Sequence, residues 1–380
     1  MGIGNLPALA PEYGHLGNGG AEVQQSVLAK ALAARDFKVS MVVADHGQPD
    51  GAVWGGVTTY RAYRLNAGLP GLRFFHPRWS SVWAALRRAD ADIYYVGCAG
   101  VLIWQVSLFT RMFGRKVVFG TMSDSDCDPN ALLVKLWRDK KLYAQGLRRA
   151  DLVLTQSALQ QQMLRRNYRR DSKVVPAIGG MIGRRLTREQ RDIDALWVAN
   201  LRPLKRPEMF IELARELPHL RFHMIGGAWD GLVDYFNSVR EKAAACPNIH
   251  FHGSVSYHEV NSYFERTRVF VNTSEIEGFP NTYLQAWGHG VPVVTFLDPD
   301  NLIAQNSIGR AVANLEELRT AVDAFTDDSD EWQRASTRSI DFMDRDYNPH
   351  TAVNAYVEAF TTLGIQGALE SAMPLNASRK

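Results

Sequence analysis

The chain has 380 residues, with 43 lysines and arginines against 40 aspartates and glutamates, a net charge of +3. Apolar residues make up 46% and charged residues 22%, a balance that excludes a disordered chain and allows two ordinary domain cores. No run of eighteen apolar residues occurs, so no membrane-spanning helix is expected, and the stretch from Met1 to Gly20 lacks the apolar block of a signal peptide.

Cys98, Cys127 and Cys246 are widely spaced and odd in number, which fits neither a disulfide framework nor a metal-type spacing. They read as buried thiols of a cytoplasmic protein. The arginine pairs Arg87-Arg88, Arg148-Arg149, Arg165-Arg166, Arg169-Arg170 and Arg184-Arg185 admit two readings, solvated helix faces or a patch for anionic lipid headgroups. With no aromatic RNA-binding signature and no zinc-finger spacing beside them, nucleic acid is not an expected partner.

Apolar runs and helical patterns alternate along the chain. Helix is expected at Gly20–Ala34 and strand at Lys38–Val43 and Thr58–Arg64. Next come a helix near Ser81–Arg88, a strand at Asp92–Val96, a helix at Val101–Phe113 and a strand at Lys116–Phe119. The 3.6-residue periodicity of Asn130–Arg149 predicts one long helix, before a strand at Leu152–Thr155, a helix at Leu159–Asn167 and a short strand at Lys173–Val175. Pro176–Asp194 carries glycines and charges without an apolar period and reads as a linker.

The alternation then restarts. Leu196–Ala199, Leu220–Ile225, Ile249–His252, Val269–Asn272 and Val291–Phe296 read as strands. Between them, Pro207–Glu216, Leu232–Ala244, Tyr257–Arg266 and Thr282–Gly288 read as helices, the first with proline where its missing N–H costs nothing. Helices are expected at Leu315–Thr326, Glu331–Arg345 and His350–Thr362, and a disordered tail from Gly364. Strands separated by helices imply parallel sheets, hence two doubly wound α/β halves with ligands outside the carboxyl ends of the strands. One irregularity stands at the start. A doubly wound domain opens on a strand that feeds its Gly-rich turn, and Met1–Leu16 contains no convincing strand. Either Ile3–Leu9 is a poor one, or the chain begins late.

Four segments carry candidate chemistry. Glu275-Ile276-Glu277-Gly278-Phe279-Pro280-Asn281 lies between a strand and a helix, where free backbone N–H groups and the helix dipole attract phosphate. An ordinary βα loop with a capping asparagine would look the same. Val198-Ala199-Asn200-Leu201-Arg202-Pro203-Leu204-Lys205 follows the first strand of the second half and offers cations. Gly17-Asn18-Gly19-Gly20-Ala21-Glu22 opens the first helix, as a phosphate-facing turn or as a plain N-cap. Thr121-Met122-Ser123-Asp124-Ser125-Asp126 follows a strand, and Asp124 or Asp126 is a candidate for an acceptor contact or a base. With Asp128 these aspartates also admit a metal reading, and capping of a loop is the plainer alternative. His15, His76, His252, His258 and His289 are isolated and read as structural.

Glu-Gly-Phe-Pro-Asn with an acidic or amide residue eight positions after Glu277 resembles the donor motif of glycosyltransferase family 4, the glycosyl transferases of group 1. Gly290-Val291-Pro292-Val293-Val294 and the His252-Gly253 turn are similar to the same family, most strongly from Ala195 to Ile308. The resemblance implies the GT-B fold, two Rossmann-like domains facing across a cleft: residues 1–178, a linker 179–194, residues 195–346, a helix 347–363 crossing back, and a tail 364–380. It implies a retaining transferase that moves sugar from a nucleotide-sugar donor to a glycan, lipid-linked or small-molecule acceptor in polysaccharide or glycoconjugate biosynthesis, with no metal and no cofactor. Peripheral membrane contact accompanies that expectation.

By the resemblance Glu277 contacts donor-sugar hydroxyls and Lys205 grips the leaving phosphates. The full donor set it implies is Gly19, Gly20, Asn200, Arg202, Lys205, Gly226, Glu277, Gly278, Phe279, Pro280, Asn281, Thr282 and Gln285. Three departures stand out. Gln285 replaces the carboxylate that accepts the ribose diol, exchanging a bond of roughly 1.5–3 kcal/mol for one of roughly 0.5–1.5. Asn200 stands where an arginine is usual, with Arg202 close enough to substitute, and the histidine that many relatives carry near Thr121 is missing. A catalytically weak sugar-nucleotide-binding relative and a nucleotide-sugar epimerase of the same fold are the rival readings. A nicotinamide oxidoreductase is disfavoured, because Gly17–Gly20 does not meet the dinucleotide spacing.

Overall fold

A computed structural model describes residues 3–17, 19–179, 183–229 and 231–364. The expected tail, along with Asn18 and Gly180, falls outside these residues. The chain divides into two units, one of Met1–Ala10, Ala21–Ile178 and Pro349–Lys380, the other of Pro11–Gly20 and Gly179–Asn348.

The first unit contains the short helix α1 (Leu6–Leu9), and helix α2 (Gly20–Ala33) supplies its long opening face. Strands β1 (Ser40–Val43), β2 (Val53–Trp54) and β3 (Val57–Arg61) form one sheet, in the order β1-β3-β2. β2 and β3 are antiparallel, joined through Gly55 and Gly56 at φ 55° and 79°. Two successive positive φ values are the backbone of a tight hairpin turn, which two glycines adopt without strain. This hairpin is absent from the sequence reading, although a Gly-Gly pair between apolar residues signals it.

Helix α3 (Ser80–Ala89), strand β4 (Ile93–Gly97), helix α4 (Val101–Phe113) and strand β5 (Lys116–Gly120) follow. Helix α5 (Trp137–Arg149), strand β6 (Leu152–Thr155), helix α6 (Ala158–Tyr168) and strand β7 (Lys173–Val174) complete the series. β4 to β7 form an all-parallel sheet in sequence order. The helix expected from Asn130 begins only at Trp137. Asp128 accepts the Asn130 amide at 2.8 Å and sets a turn there. Leu132 is buried while Leu133 and Leu136 are exposed, so this stretch never presents one apolar helical face. Helix α14 (Pro349–Thr361) packs Val353, Tyr356, Val357 and Phe360 against Leu28, Val118, Leu154 and Val175 of this unit.

The second unit holds one parallel sheet of six strands, in the order β10-β9-β8-β11-β12-β13. These are β8 (Ile193–Val198), β9 (Phe222–Ile225), β10 (Ile249–Gly253), β11 (Thr267–Asn272), β12 (Val293–Thr295) and β13 (Gly309–Ala311). The central strands β8 and β11 read Ile-Asp-Ala-Leu-Trp-Val and Thr-Arg-Val-Phe-Val-Asn and are buried along most of their length, as parallel strands covered on both faces must be. Helices α7 (Pro207–Glu216), α8 (Val233–Ala244), α9 (Tyr257–Glu265), α10 (Asn281–Gly288), α11 (Leu302–Asn306), α12 (Leu315–Asp327) and α13 (Ser329–Phe342) surround it. Trp197, Phe210, Phe222 and Trp332 lie in its core.

The end of the stretch read as linker belongs to this unit's core. Arg191 is 1% exposed, donates to the carbonyls of Leu186, Thr267 and His289, and stacks 5.1 Å from the Trp332 ring. With a second bond to Leu186 and one to the Phe264 carbonyl, five hydrogen bonds make a buried guanidinium tolerable. Burial nevertheless lowers its pKa to about 10. Sequence reasoning saw a charge without an apolar period, and charge alone does not reveal burial.

Candidate active site

In the second unit two loops leave the carboxyl ends of the adjacent strands β8 and β11 and are tied together by backbone and buried side chains. The Glu275 amide donates to the Leu204 carbonyl at 2.9 Å. Trp197 Nε1 donates to Thr273 Oγ1 at 2.9 Å, and that hydroxyl lies 2.7 Å from the Lys205 carbonyl. Arg206 sits at φ 47°, and its Nε donates to the Thr273 carbonyl at 2.7 Å. Thr273 is therefore the fastener between the loops. Neither Thr273 nor Arg206 was singled out from sequence, although a hydroxyl directly after a buried strand was a usable signal.

These ties bring Lys205 to Glu277. The Lys205 ammonium donates to Glu277 Oε1, and Ser274 Oγ donates to the same oxygen at 2.7 Å. Both charged side chains are mostly buried, at 16% and 18% exposure. A pair removed from bulk water interacts much more strongly than one on the surface. Arg202 stacks 4.6 Å from the Trp229 ring. Burial lowers its pKa, and the charge of Glu277 opposes that shift, which puts Arg202 within electrostatic reach of the same carboxylate.

Helix α10 begins directly after this pair, with Pro280 as its N-cap residue in extended conformation. Its first turn presents backbone N–H groups that have no partner within the helix. Gly278 precedes them on the half-buried loop. Asn281 donates its side-chain amide to the Gly20 carbonyl, a residue grouped with this unit, while Asn281 Oδ1 is buried without a partner. Gly19 is half-buried beside it in sequence. Thr282 is half-buried in the first turn.

Phe279 plays a different part from the one its motif suggests. It is 4% exposed, stacks on Tyr347 at 5.2 Å and meets Trp287 edge-on, so its ring anchors the loop and only its backbone faces outward chemistry. Gln285, half-buried one turn further along, donates to Asn261 Oδ1 at 3.0 Å. Gly226 is required by close approach: a Cβ there would sit 2.3 Å from the Ala199 carbonyl oxygen. A Cβ on Gly227 would lie 3.8 Å from Asn200 Oδ1, which places Asn200 at the end of the β8–β9 pair.

In the first unit, Asp126 is 6% exposed and already engaged. Its oxygens accept from the amides of Met122 at 2.8 Å, Ser123 at 3.2 Å and Ala99 at 3.3 Å. Burial raises its pKa to about 6 against the pull of those amides. Three backbone bonds make it a loop-building group, with little left for an acceptor. Asp124 accepts from Gln160 Nε2 at 2.9 Å. Gln160 in turn accepts from Thr121 Oγ1 at 2.7 Å and from the Gln156 amide at 2.9 Å, and Gln156 donates to Gln24. This buried glutamine network at the carboxyl ends of β5 and β6 was not read from sequence. Among the described residues no group of three or more histidine, cysteine, aspartate or glutamate side chains is arranged to hold a metal ion. The three cysteines are free, with Cys127 and Cys246 buried.

Two Rossmann-like α/β units, the second with an ion pair at the head of a helix after its fourth strand, define the GT-B class of glycosyltransferase folds. Residues 192–328 match the family described as "Glycosyl transferases group 1", and residues 19–177 match the "Glycosyl transferase 4-like domain". The chain belongs to this glycosyltransferase family. Among solved structures, it is similar to HepE of Anabaena in complex with UDP and glucose (15% identity, TM-score 0.72, 90% of this chain and 96% of that one). It is also similar to sucrose-phosphate synthase from Thermosynechococcus elongatus (16% identity, TM-score 0.72, 91% and 94%). The O-antigen biosynthesis glycosyltransferase WbnH of Escherichia coli is 28% identical over 114 residues, which span 29% of this chain and 30% of that relative's length.

Proposed function

We propose that the protein transfers a sugar, with retention of anomeric configuration, from a nucleoside diphosphate sugar to a glycan or lipid-linked acceptor in surface-polysaccharide biosynthesis. The carrying observation is the Lys205–Glu277 pair at the head of α10. Negative charge grows on the diphosphate as the glycosidic bond breaks, and a fixed cation beside free helix amides stabilises it where it forms. Glu277, three residues ahead of the N-cap, is placed to accept hydroxyl hydrogen bonds from the sugar, and Lys205 exchanges part of its carboxylate contact for phosphate when the donor enters. Because these groups meet the leaving charge, no metal is needed, and activity survives a chelator. Departure of the diphosphate leaves an oxocarbenium-like centre that the acceptor attacks from the same face, with the leaving phosphate oxygen taking the acceptor proton. The acceptor binds the first unit.

The WbnH match supports the O-antigen class of acceptor, and the UDP in the HepE structure supports a uridine donor. The test is nucleotide release from a panel of nucleotide sugars, with and without acceptor, followed by anomeric analysis of the product. Acceptor-dependent release and a retained anomer are expected. An inverted product rejects the mechanism, and sugar conversion without acceptor makes the protein an epimerase.

Peripheral membrane contact is part of this reading, on different residues from the arginine pairs. Arg88 is engaged by Asp50, Arg170 by the Ala150 carbonyl and Arg185 by Asp344. In the first unit, however, Leu69, Leu72, Phe75 and Trp137 are 62–71% exposed. Arg73, Arg78 and Arg138 line one depression with Phe74 and Leu136, and Arg138 lies 4.6 Å over the Phe74 ring. Apolar side chains among cations suit an anionic lipid surface. Among the described residues no helix is long and apolar enough to cross a membrane.

A further inference from the structure

The depression lined by α4 and α5 of the first unit has a volume of about 350 Å³. Arg73 and Arg78 reach it from the segment ahead of α3, and Arg138 and Asp139 from the first turn of α5. Tyr63 lines it two residues past β3, and Val101 and Leu102 bring the amino end of α4, with Gln105 one turn further along. These last groups stand just beyond the carboxyl ends of β3 and β4, where a doubly wound sheet presents its ligand-binding groups. The segment that carries the two arginines is anchored, because Trp79 meets the rings of Phe74 at 6.0 Å and Trp104 at 5.1 Å, both edge-on.

The charges in this wall do not balance. Arg138 is matched, since its Nε donates to Asp139 Oδ1 at 2.8 Å. Asp139 is the one carboxylate there, and among the described residues Arg73 and Arg78 form no ion pair. Arg78 Nε is buried without a hydrogen-bond partner. Burial raises the pKa of Tyr63 and the charge of Arg78 opposes that rise, which puts the guanidinium within electrostatic reach of the phenol. Gln105 is 6% exposed, and among the described residues its side-chain amide makes no hydrogen bond. The first-turn N–H groups of α4 have no partner within the helix and add partial positive charge. Cations and donors thus converge on a hollow that is short of acceptors. Phosphate oxygens fit such a set, because guanidinium forks bind them in pairs. Two unmatched cations call for at least two negative charges, which a diphosphate carries and a phosphodiester headgroup does not. Leu136 of the wall, and Leu72, Phe75 and Trp137 next to wall residues in the chain, are 55–71% exposed. An anion that also bears an apolar chain would cover them.

Resting on the transferase reading above, we propose that this depression binds the diphosphate of an acceptor whose sugar is joined through diphosphate to an apolar chain. Arg78 and Gln105 hold one phosphate against the amino end of α4, and the exposed Arg73 takes the second at the mouth. The chain leaves over Leu72 and Trp137.

The test is calorimetric titration of the full chain with three soluble probes: geranyl diphosphate, geranyl methyl phosphate, which carries a single charge, and geraniol. UDP is kept saturating, so that the diphosphate site of the second unit is filled. Geranyl diphosphate is expected to bind about 10-fold or more tighter than the other two. Arg78→Gln should weaken it about 10-fold or more and Gln105→Leu about 3-fold, with Arg78→Lys between parent and Arg78→Gln because it keeps the charge and loses the fork. UDP affinity should be the same in all of them. Gln105→Leu and the rim variant Arg73→Gln read the same loss without disturbing the buried guanidinium, should Arg78→Gln fail to fold. Flotation with phosphatidylglycerol vesicles separates the two sources of phosphate, and Arg78→Gln is expected to float as the parent does. UDP binding with no binding of geranyl diphosphate overturns this site and leaves the transferase reading standing. Geranyl diphosphate bound through Arg78 without UDP binding keeps the site and strikes the uridine donor. Equal affinity for geranyl methyl phosphate, or an Arg78→Gln loss seen only on vesicles, makes a bulk headgroup the occupant and overturns the proposal.

Discussion

The Lys205 ammonium and the Glu277 carboxylate hold each other at the head of α10, and the backbone of Lys205 is fixed independently by Thr273. The two roles of residue 205 are therefore separable. Lys205→Ala removes the charge and keeps the carbonyl that Thr273 grips, so the loop retains its shape. Turnover is expected to fall about 10²–10³-fold, the cost of deleting one donor aimed at developing charge, and the unfolding temperature to fall modestly, because the mostly buried Glu277 loses its counter-charge. Steady-state kinetics and a melt on the same preparation check it. A normal rate removes Lys205 from the chemistry whatever the melt shows.

Thr273→Val tests the fastener. It deletes the hydroxyl that receives Trp197 Nε1 and bonds the Lys205 and Arg206 carbonyls, and leaves the Trp197 N–H buried without a partner. A loss of roughly 1–3 kcal/mol of stability is expected, read from denaturant midpoints. Donor affinity should fall with it, since the two loops are no longer held in register.

Gln285 decides how well the ribose is held. Its amide already donates to Asn261, leaving its carbonyl oxygen as the acceptor for a diol. Gln285→Ala is expected to weaken nucleotide binding about 2–10-fold, the value of one neutral hydrogen bond. Gln285→Glu should tighten it by charge assistance. Calorimetric titration of UDP into the three proteins reads both effects, and identical affinities would place the ribose elsewhere.

Much of this was legible in the sequence for local reasons. Pro207 marked the start of α7 because a missing N–H is harmless only in a first turn. The run Val269–Asn272 showed a buried strand because both its faces are covered. The illegible parts depend on distant partners. Phe279 sits inside a ligand-like motif, yet its ring belongs to Tyr347 and Trp287. Arg191 looks like a solvated linker charge until the carbonyls of Thr267 and His289 close around it. Asp126 reads as a free carboxylate until three amides converge on it. No local pattern encodes such convergence.

The exposed apolar set in the first unit predicts lipid binding that is not purely electrostatic. Trp137→Ala with Leu72→Ala should weaken binding to vesicles containing anionic lipid while leaving the melt unchanged, because both side chains are more than 60% exposed. Arg73→Ala with Arg138→Ala should weaken it chiefly at low salt, since headgroup attraction is screened within about 10 Å at 0.1 M ionic strength. Equal binding of all variants, or no binding by the parent protein, rejects the membrane reading.

A histidine cluster on the edge of the second unit's sheet sets its acid stability. His223 of β9 and His252 of β10 hydrogen-bond at 3.0 Å, and the His223 ring lies 4.8 Å from that of His250. Tyr263 of α9 covers His252 at 4.8 Å. Burial, and then the neighbouring His252, His250 and Arg266, push His223 down to about 4, against the pull of Asp192, and burial also lowers His252. The folded unit thus favours neutral imidazoles, whereas the unfolded chain takes up protons near pH 6.5. Between those values the unfolded state binds more protons, so the stabilisation is complete above about pH 6.5 and is lost as pH falls toward 4. The unfolding temperature should drop steadily from pH 7 to pH 4.5. His223→Gln should flatten that profile, since a glutamine keeps a hydrogen bond to His252 without titrating. A parent profile that is flat over this range would show that His223 is not held neutral in the folded unit.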